Sequence, residues 1–105
     1  MGGQEHFYFE TNAAFAKPVD NCREMEVHSS CQNVAHAQHS ISHALGVGMN
    51  NITVRTKRLG GGFGGKEARF HLLTSAIAVA GRVSKFISIQ TIQTFVQNLT
   101  RKLFF

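Results

Sequence analysis

The chain has 105 residues, 43% of them hydrophobic and 16% charged, with nine phenylalanines and no tryptophan. That length holds one small domain with a modest core, and that balance excludes wholesale disorder. No stretch reaches the ~18 uninterrupted apolar residues of a membrane span, and Met1-Gly2-Gly3-Gln4-Glu5-His6 lacks the basic and apolar regions of a secretory signal.

The net charge of +5 is unevenly spread: residues 1–50 carry five acids and two bases, whereas residues 51–105 carry one acid, Glu67, and nine bases. A basic half points to an anionic ligand, to nucleic acid or to an acidic partner surface. Cys22 and Cys31, with eight residues between them, form neither a CxxC pair nor a disulfide framework, so free thiols in a reducing compartment are expected. The sequons at Asn51-Ile52-Thr53 and Asn98-Leu99-Thr100 read as accidental without a signal peptide.

In chain order, residues 7–16 alternate as a strand, with Phe7, Phe9, Thr11, Ala13 and Phe15 on one face and Tyr8, Glu10 and Asn12 on the other. Pro18 and Asp20-Asn21 predict a turn. A second strand over 24–30 sets Met25 and Val27 against Glu24, Glu26 and His28. The period then becomes helical from Val34 to Leu45, with Val34, Ala37, Ile41, Ala44 and Leu45 on one face and Gly46 as the stop. Ile52 and Val54 predict a third strand, which runs into Gly60-Gly61-Gly62-Phe63-Gly64-Gly65. A second helix should open near Lys66 and continue through Leu72, Leu73, Ala76, Ile77 and Ala80 to Gly81. The order strand, strand, helix, strand, glycine loop, helix makes an α+β unit that belongs to something larger. Two segments are expected: 1–83, and a divergent C-terminal tail over 84–105. In the tail, Ile89, Ile92, Val96, Leu99 and Leu103 could line a helix face, and Phe86 to Ile89 could equally be a strand.

The glycine loop carries the most chemistry, because glycines let backbone approach a ligand closely and a following helix offers free N–H groups. Gly60-x-Gly62-x-x-Gly65 fits the dinucleotide fingerprint formally, but no acid follows Glu67 to hold a ribose. Gly60-x-x-x-x-Gly65-Lys66 matches a P-loop until its last position, where Glu67 stands in place of the hydroxyl that ligates Mg²⁺. A non-nucleotide cofactor held by backbone, with Glu67 as a functional carboxylate, remains. The bland alternative is a tight turn with Glu67 as a first-turn helix stabiliser.

Other clusters carry less. His36, His39 and His43 lie opposite the apolar stripe of the first helix, with no carboxylate or thiol to complete a metal site. Glu5 and His6 point to opposite faces of an extended strand, so with Glu10 they do not readily share an ion. Lys57, Arg58, Lys66 and Arg69 lack the interleaved aromatic platform of single-strand binders, and no nucleic-acid partner is expected.

Gly2-Gly3-Gln4-Glu5-His6-Phe7-Tyr8-Phe9-Glu10-Thr11 resembles the opening signature of the molybdenum domain in the xanthine dehydrogenase and aldehyde oxidase family. Glu24-Met25-Glu26-Val27 through Ser30-Cys31-Gln32-Asn33 resembles its next strand and turn. Ala44-Leu45-Gly46-Val47, Asn51-Ile52-Thr53-Val54-Arg55 and Lys57-Arg58-Leu59-Gly60-Gly61-Gly62-Phe63-Gly64-Gly65-Lys66-Glu67 follow in the family's order, so the resemblance covers about residues 2–80. It departs at Cys31, where a Thr is expected, at Ala68, where a hydroxyl residue is expected, and after Ala80. There only Gly81-Arg82-Val83 is left of a Gly-Arg-Pro turn, and the acid-rich segment that should follow is missing.

The resemblance implies part of a larger molybdopterin-binding domain in a hydroxylase that inserts water-derived oxygen at a C–H carbon of purines, xanthine or hypoxanthine, or of aldehydes. It implies a molybdenum–molybdopterin cofactor here, and iron–sulphur clusters and FAD in the remaining domains of a homodimeric parent enzyme. Gln32 is then the amide that donates toward the molybdenum centre, Gly62, Phe63 and Gly64 are the loop whose backbone lies against the cofactor, and Gln32 and Phe63 are the metal's surroundings. Glu67 is the carboxylate that binds a purine. No catalytic residue is assigned within the chain, because the family's general-base Glu and second purine-binding Arg lie outside it. The expected location is cytoplasmic, with the peroxisome as the other compartment. The competing reading is a non-catalytic remnant or interaction module without cofactor.

Overall fold

The computed structural model describes residues 6–84 and 88–91, with Ser84 and residues 88–91 in backbone only. Strand β1 (Ala13–Val19) and strand β2 (Glu24–Ser29) form an antiparallel pair. Helix α1 (Val34–Leu45) then crosses over to strand β3 (Ile52–Arg55), which lies parallel to β2, after a single 3-10 turn at Met49–Asn51. Helix α2 (His71–Ser84) follows the glycine loop, and strand β4 (Ser88–Thr91) returns antiparallel to β1. The sheet order is β3-β2-β1-β4. This is the expected α+β arrangement, with one strand more than the unit predicted through the second helix.

Both helices cover one face of the sheet. Ala14 and Ala16 of β1, Met25 and Val27 of β2 and Ile52 of β3 are buried there, against Ala37 and Ile41 of α1 and Ile77 and Ala78 of α2. The register Met25↔Ile52 and Val27↔Val54 puts these apolar residues side by side, as strand alternation requires. The opposite face carries charged residues: Glu26 reaches Arg55 at 3.2 Å and His28 at 3.4 Å.

Sharp ends hold the elements in place. The side chain of Asn33 accepts from the His36 N–H and caps α1. Gly46 ends it at φ 65°, the left-handed conformation that glycine adopts without steric cost. Arg82 of α2 donates to the Leu45 carbonyl at 3.1 Å, satisfying a terminal carbonyl of α1 and locking the helices together. The turn between β1 and β2 places Asp20, Asn21 and Cys22 all at positive φ, closed by Arg23 N–H to Asp20 O at 3.1 Å.

Four expectations need correction. The first strand starts at Ala13 rather than at residue 7, because residues 6–12 are committed to the glycine loop. Its buried face is Ala14 and Ala16, where small side chains let α2 lie close, and Phe15 stands on the open face against His28. Pro18 lies inside β1, not in the turn. It pairs with Met25 and sits beyond the β4 register, so among the described residues its missing N–H interrupts no ladder on that side. The second helix starts at His71 rather than Lys66, and runs through Gly81, which is buried inside it. The helix face proposed for 89–103 and the sequon at Asn98 lie outside the described residues, apart from the strand at Ser88–Thr91.

Candidate cofactor-binding site

Two segments far apart in sequence meet at the glycine loop. Gln32, just after β2, and Lys66, just after the last loop glycine, bond as a pair: Gln32 N–H donates to Lys66 O at 2.9 Å. The Gln32 side-chain oxygen accepts from Gly64 N–H at 3.0 Å and from Lys66 N–H at 3.3 Å. Two backbone donors therefore fix that oxygen inward and turn the Nε2 amide outward, where no acceptor is found among the described residues. The loop closes on itself through Gly65 N–H to Gly62 O at 2.7 Å.

Phe63 occupies the apex, 69% exposed, at φ 50°. Such a φ is uncommon for a bulky side chain and carries strain of roughly 1–3 kcal/mol, which the surrounding bonds must hold. Its ring stacks on Tyr8 at 6.4 Å between centroids, and Tyr8 stacks in turn on His6 at 6.0 Å. Space around the loop is tight. A Cβ on Gly62 would come within 2.5 Å of the Gln32 amide carbon, and one on Gly65 would collide with the Tyr8 hydroxyl and the His6 ring. At both positions the missing Cβ is what lets these side chains come so close to the loop backbone.

Beneath the loop, Lys66 is fully buried. Its ammonium donates to Glu10 O at 2.9 Å and to Glu10 Oε2 at 3.3 Å, and lies 5.1 Å from the Tyr8 ring centre. The same Oε2 accepts Gly60 N–H at 2.7 Å. The Gly60 amide, with further help from Lys66, holds the Glu10 carboxyl below the usual carboxylate range despite partial desolvation.

A second polar layer supports the Gln32 corner. Thr56 donates its hydroxyl proton to Ser29 O at 2.7 Å, so the Cys31 thiol, 3.3 Å from Thr56 Oγ1, is left as the donor of that pair. Cys31 is buried and does in this position what a hydroxyl would do.

Gln32, Gly62, Phe63 and Gly64 are therefore brought together. Glu67 follows directly but projects into solvent, ahead of α2 rather than within its first turn, so the helix-stabilising role does not apply. His36, His39 and His43 are exposed on α1, and His36 packs edge-on against buried His71 at 4.6 Å. Among the described residues, no group of three His, Cys, Asp or Glu is placed to hold a metal. Sequence reasoning missed Tyr8 and the Glu10–Lys66 pair as parts of the site. They are 50 or more positions from their partners in the loop, and only a lysine directly after the last loop glycine hinted at them.

A family model described as the molybdopterin cofactor-binding domain matches residues 1–94. Xanthine dehydrogenase/oxidase of Gallus gallus is 52% identical over 80 residues, covering 76% of this chain and 6% of that protein. Aldehyde oxidase 3 of Rattus norvegicus is 44% identical over 91 residues, covering 83% of this chain and 7% of that protein. The chain thus spans less than a tenth of the length of these relatives. The crystal structure of quinoline 2-oxidoreductase from Pseudomonas putida 86 matches with a TM-score of 0.70 over 76% of this chain and 10% of its own, at 21% identity, which shows the shared fold.

Proposed function

This chain belongs to the molybdopterin cofactor-binding domain family of the xanthine dehydrogenases and aldehyde oxidases, and we propose that it supplies one wall of the cofactor pocket in a molybdenum hydroxylase acting on purines or aldehydes. The observation that carries this reading is the Gln32 side chain, locked by its oxygen to Gly64 and Lys66 so that its amide faces outward beside Phe63. An outward N–H donor without a partner among the described residues, next to an exposed Phe63 ring and to Gly64, which has open space where a side chain would stand, fits a large ligand rich in acceptors.

When bound, molybdenum–molybdopterin supplies the redox chemistry by which water-derived oxygen enters a C–H bond. The chain's own residues hold and orient. Gln32 donates from Nε2 and, being uncharged, does so without adding charge near the metal. Gly62 and Gly64 keep the peptide edge bare of side chains, and Phe63 lays an exposed ring beside it. Glu67, four residues before α2 and free to reach outward, would accept from ring N–H groups of a xanthine or hypoxanthine. The general base, the iron–sulphur clusters and the FAD belong to the remaining domains of the parent enzyme.

Molybdenum and pterin analysis of the purified parent protein tests the reading. About one equivalent of each supports it, and a folded protein with neither would turn it into a non-catalytic interaction module. For substrate class, Glu67→Val should lower kcat/KM for xanthine by roughly 10- to 150-fold, the equivalent of a lost hydrogen bond to a charged group. Aldehyde turnover should be spared.

A further inference from the structure

We propose that Lys66, pinned by Glu10, is a positioning residue that sets the Phe63 loop against Gln32 and thereby governs how firmly the loop holds its cofactor. The inference rests on the reading of the preceding subsection for its ligand, but not for its geometry.

Lysine is almost never fully buried unless paired, yet Lys66 has no exposed surface. Its pairing is unusually informative. The Glu10 carboxylate oxygen that meets the ammonium also accepts Gly60 N–H, and Glu10 N–H donates back to Gly60 O at 3.3 Å. One carboxylate therefore ties the entry of the loop at Gly60 to its exit at Lys66. The backbone of Lys66 meanwhile bonds Gln32 in both directions. Phe63, midway between the tied ends, is held at positive φ and stacked on Tyr8, the ring that the ammonium also approaches.

A purely stabilising ion pair could sit anywhere in the core. This one is not part of the apolar cluster: the ammonium meets Glu10 and the Tyr8 ring, and the same carboxylate meets Gly60 of the loop. An apolar residue at position 66 could fill the volume but could not donate to the Glu10 carbonyl and carboxylate. Replacing a buried ion pair with neutral groups often leaves overall stability unchanged, so stability and positioning can be separated by experiment.

Amide hydrogen exchange and cofactor content are measured on the full-length parent protein, as purified and after cofactor removal, for Lys66→Met, Glu10→Gln and the double variant. In Lys66→Met we expect exchange at the amides of Gly60, Gly64 and position 66 to quicken on the order of tenfold in both states, with Ile41 in α1 unaffected. Molybdopterin content should fall several-fold. The double variant should recover the parent's melting temperature but not its loop protection. A uniform rise in exchange across α1 and the sheet would overturn the proposal, because the pair would then serve only stability. Unchanged loop exchange, or faster loop exchange with full cofactor content, would overturn it as well. A parent protein that never carries molybdopterin would defeat the cofactor reading alone, since exchange in the cofactor-free state still decides whether the pin orders the loop.

Discussion

Replacing Gly62 by alanine isolates the contact on which the cradle depends. The added methyl would fall 2.5 Å from the Gln32 amide carbon, 2.6 Å from its oxygen and 2.9 Å from its Cγ, all distances that real side chains do not tolerate. Gly62 is not at positive φ, so alanine meets no backbone penalty and the clash is the whole effect. Gln32 is exposed and would swing outward, surrendering both bonds from Gly64 and Lys66 to its oxygen. Two hydrogen bonds at about 0.5–1.5 kcal/mol each amount to roughly 1–3 kcal/mol of local stability, or about 5- to 150-fold faster opening of the loop. Amide exchange at Gly64 and Lys66 reads this directly, and molybdopterin content reads its consequence. Gly64→Ala is the matched control for the exchange measurement on cofactor-free protein. There a methyl meets open space, but φ is 81°, so only backbone strain is added and the Gln32 contacts should survive. Gly62→Ala with normal protection at Gly64 and Lys66 would refute the reasoning.

Elsewhere, Asn33→Ala should cost about 0.5–2 kcal/mol by uncapping α1, visible as a lower melting temperature. Ile41→Ala, in the centre of the helix–sheet interface, should cost about 2–5 kcal/mol by the same measure. His71 is buried with neither ring nitrogen in good hydrogen-bonding geometry. Burial chiefly, with nearby His36, holds its pKa below the ordinary imidazole range, against a weaker opposing pull from the Glu67 carbonyl. The unfolded chain therefore takes up a proton that the folded one refuses, so stability should decline as pH falls through the ordinary imidazole range. His71→Leu should flatten that decline without loss of stability at neutral pH, and a steep decline in the variant would contradict it. Glu10 has the depressed pKa of a bonded carboxylate, so its contribution is present above the ordinary carboxylate range and is lost only as pH falls through its lower folded value. Protection of the Gly60 amide should follow that course, and Glu10→Gln should abolish the acid dependence.

Regular elements were legible where one face of a period decides burial. Helix α1 runs from Val34 to Leu45, and strands β2 and β3 bury Met25, Val27 and Ile52, as their spacing requires. The misread parts share a physical cause: tertiary partners commit backbone groups that local pattern assigns to regular structure. Lys66 would open a helix by sequence, but its N–H and C=O are both spent on Gln32, so the helix waits until His71. Residues 7–12 alternate as a strand should, yet Tyr8 and Glu10 are drawn to Phe63, Gly60 and Lys66 instead. The meeting of Gln32 with the glycine loop follows from family resemblance but from no periodicity. The burial of Lys66 follows from neither.

The central claim is that the Gln32 amide and the Gly62–Gly64 peptide edge face one common ligand. Nitrogen-15 spectra of the parent protein, recorded with and without molybdopterin, test it at single-residue resolution. The Gln32 side-chain amide and the Gly62 and Gly64 amides should shift together on loading, while Glu26 and Thr53 on the far face of the sheet stay in place. Cofactor bound at full occupancy with those three signals unmoved would contradict the account.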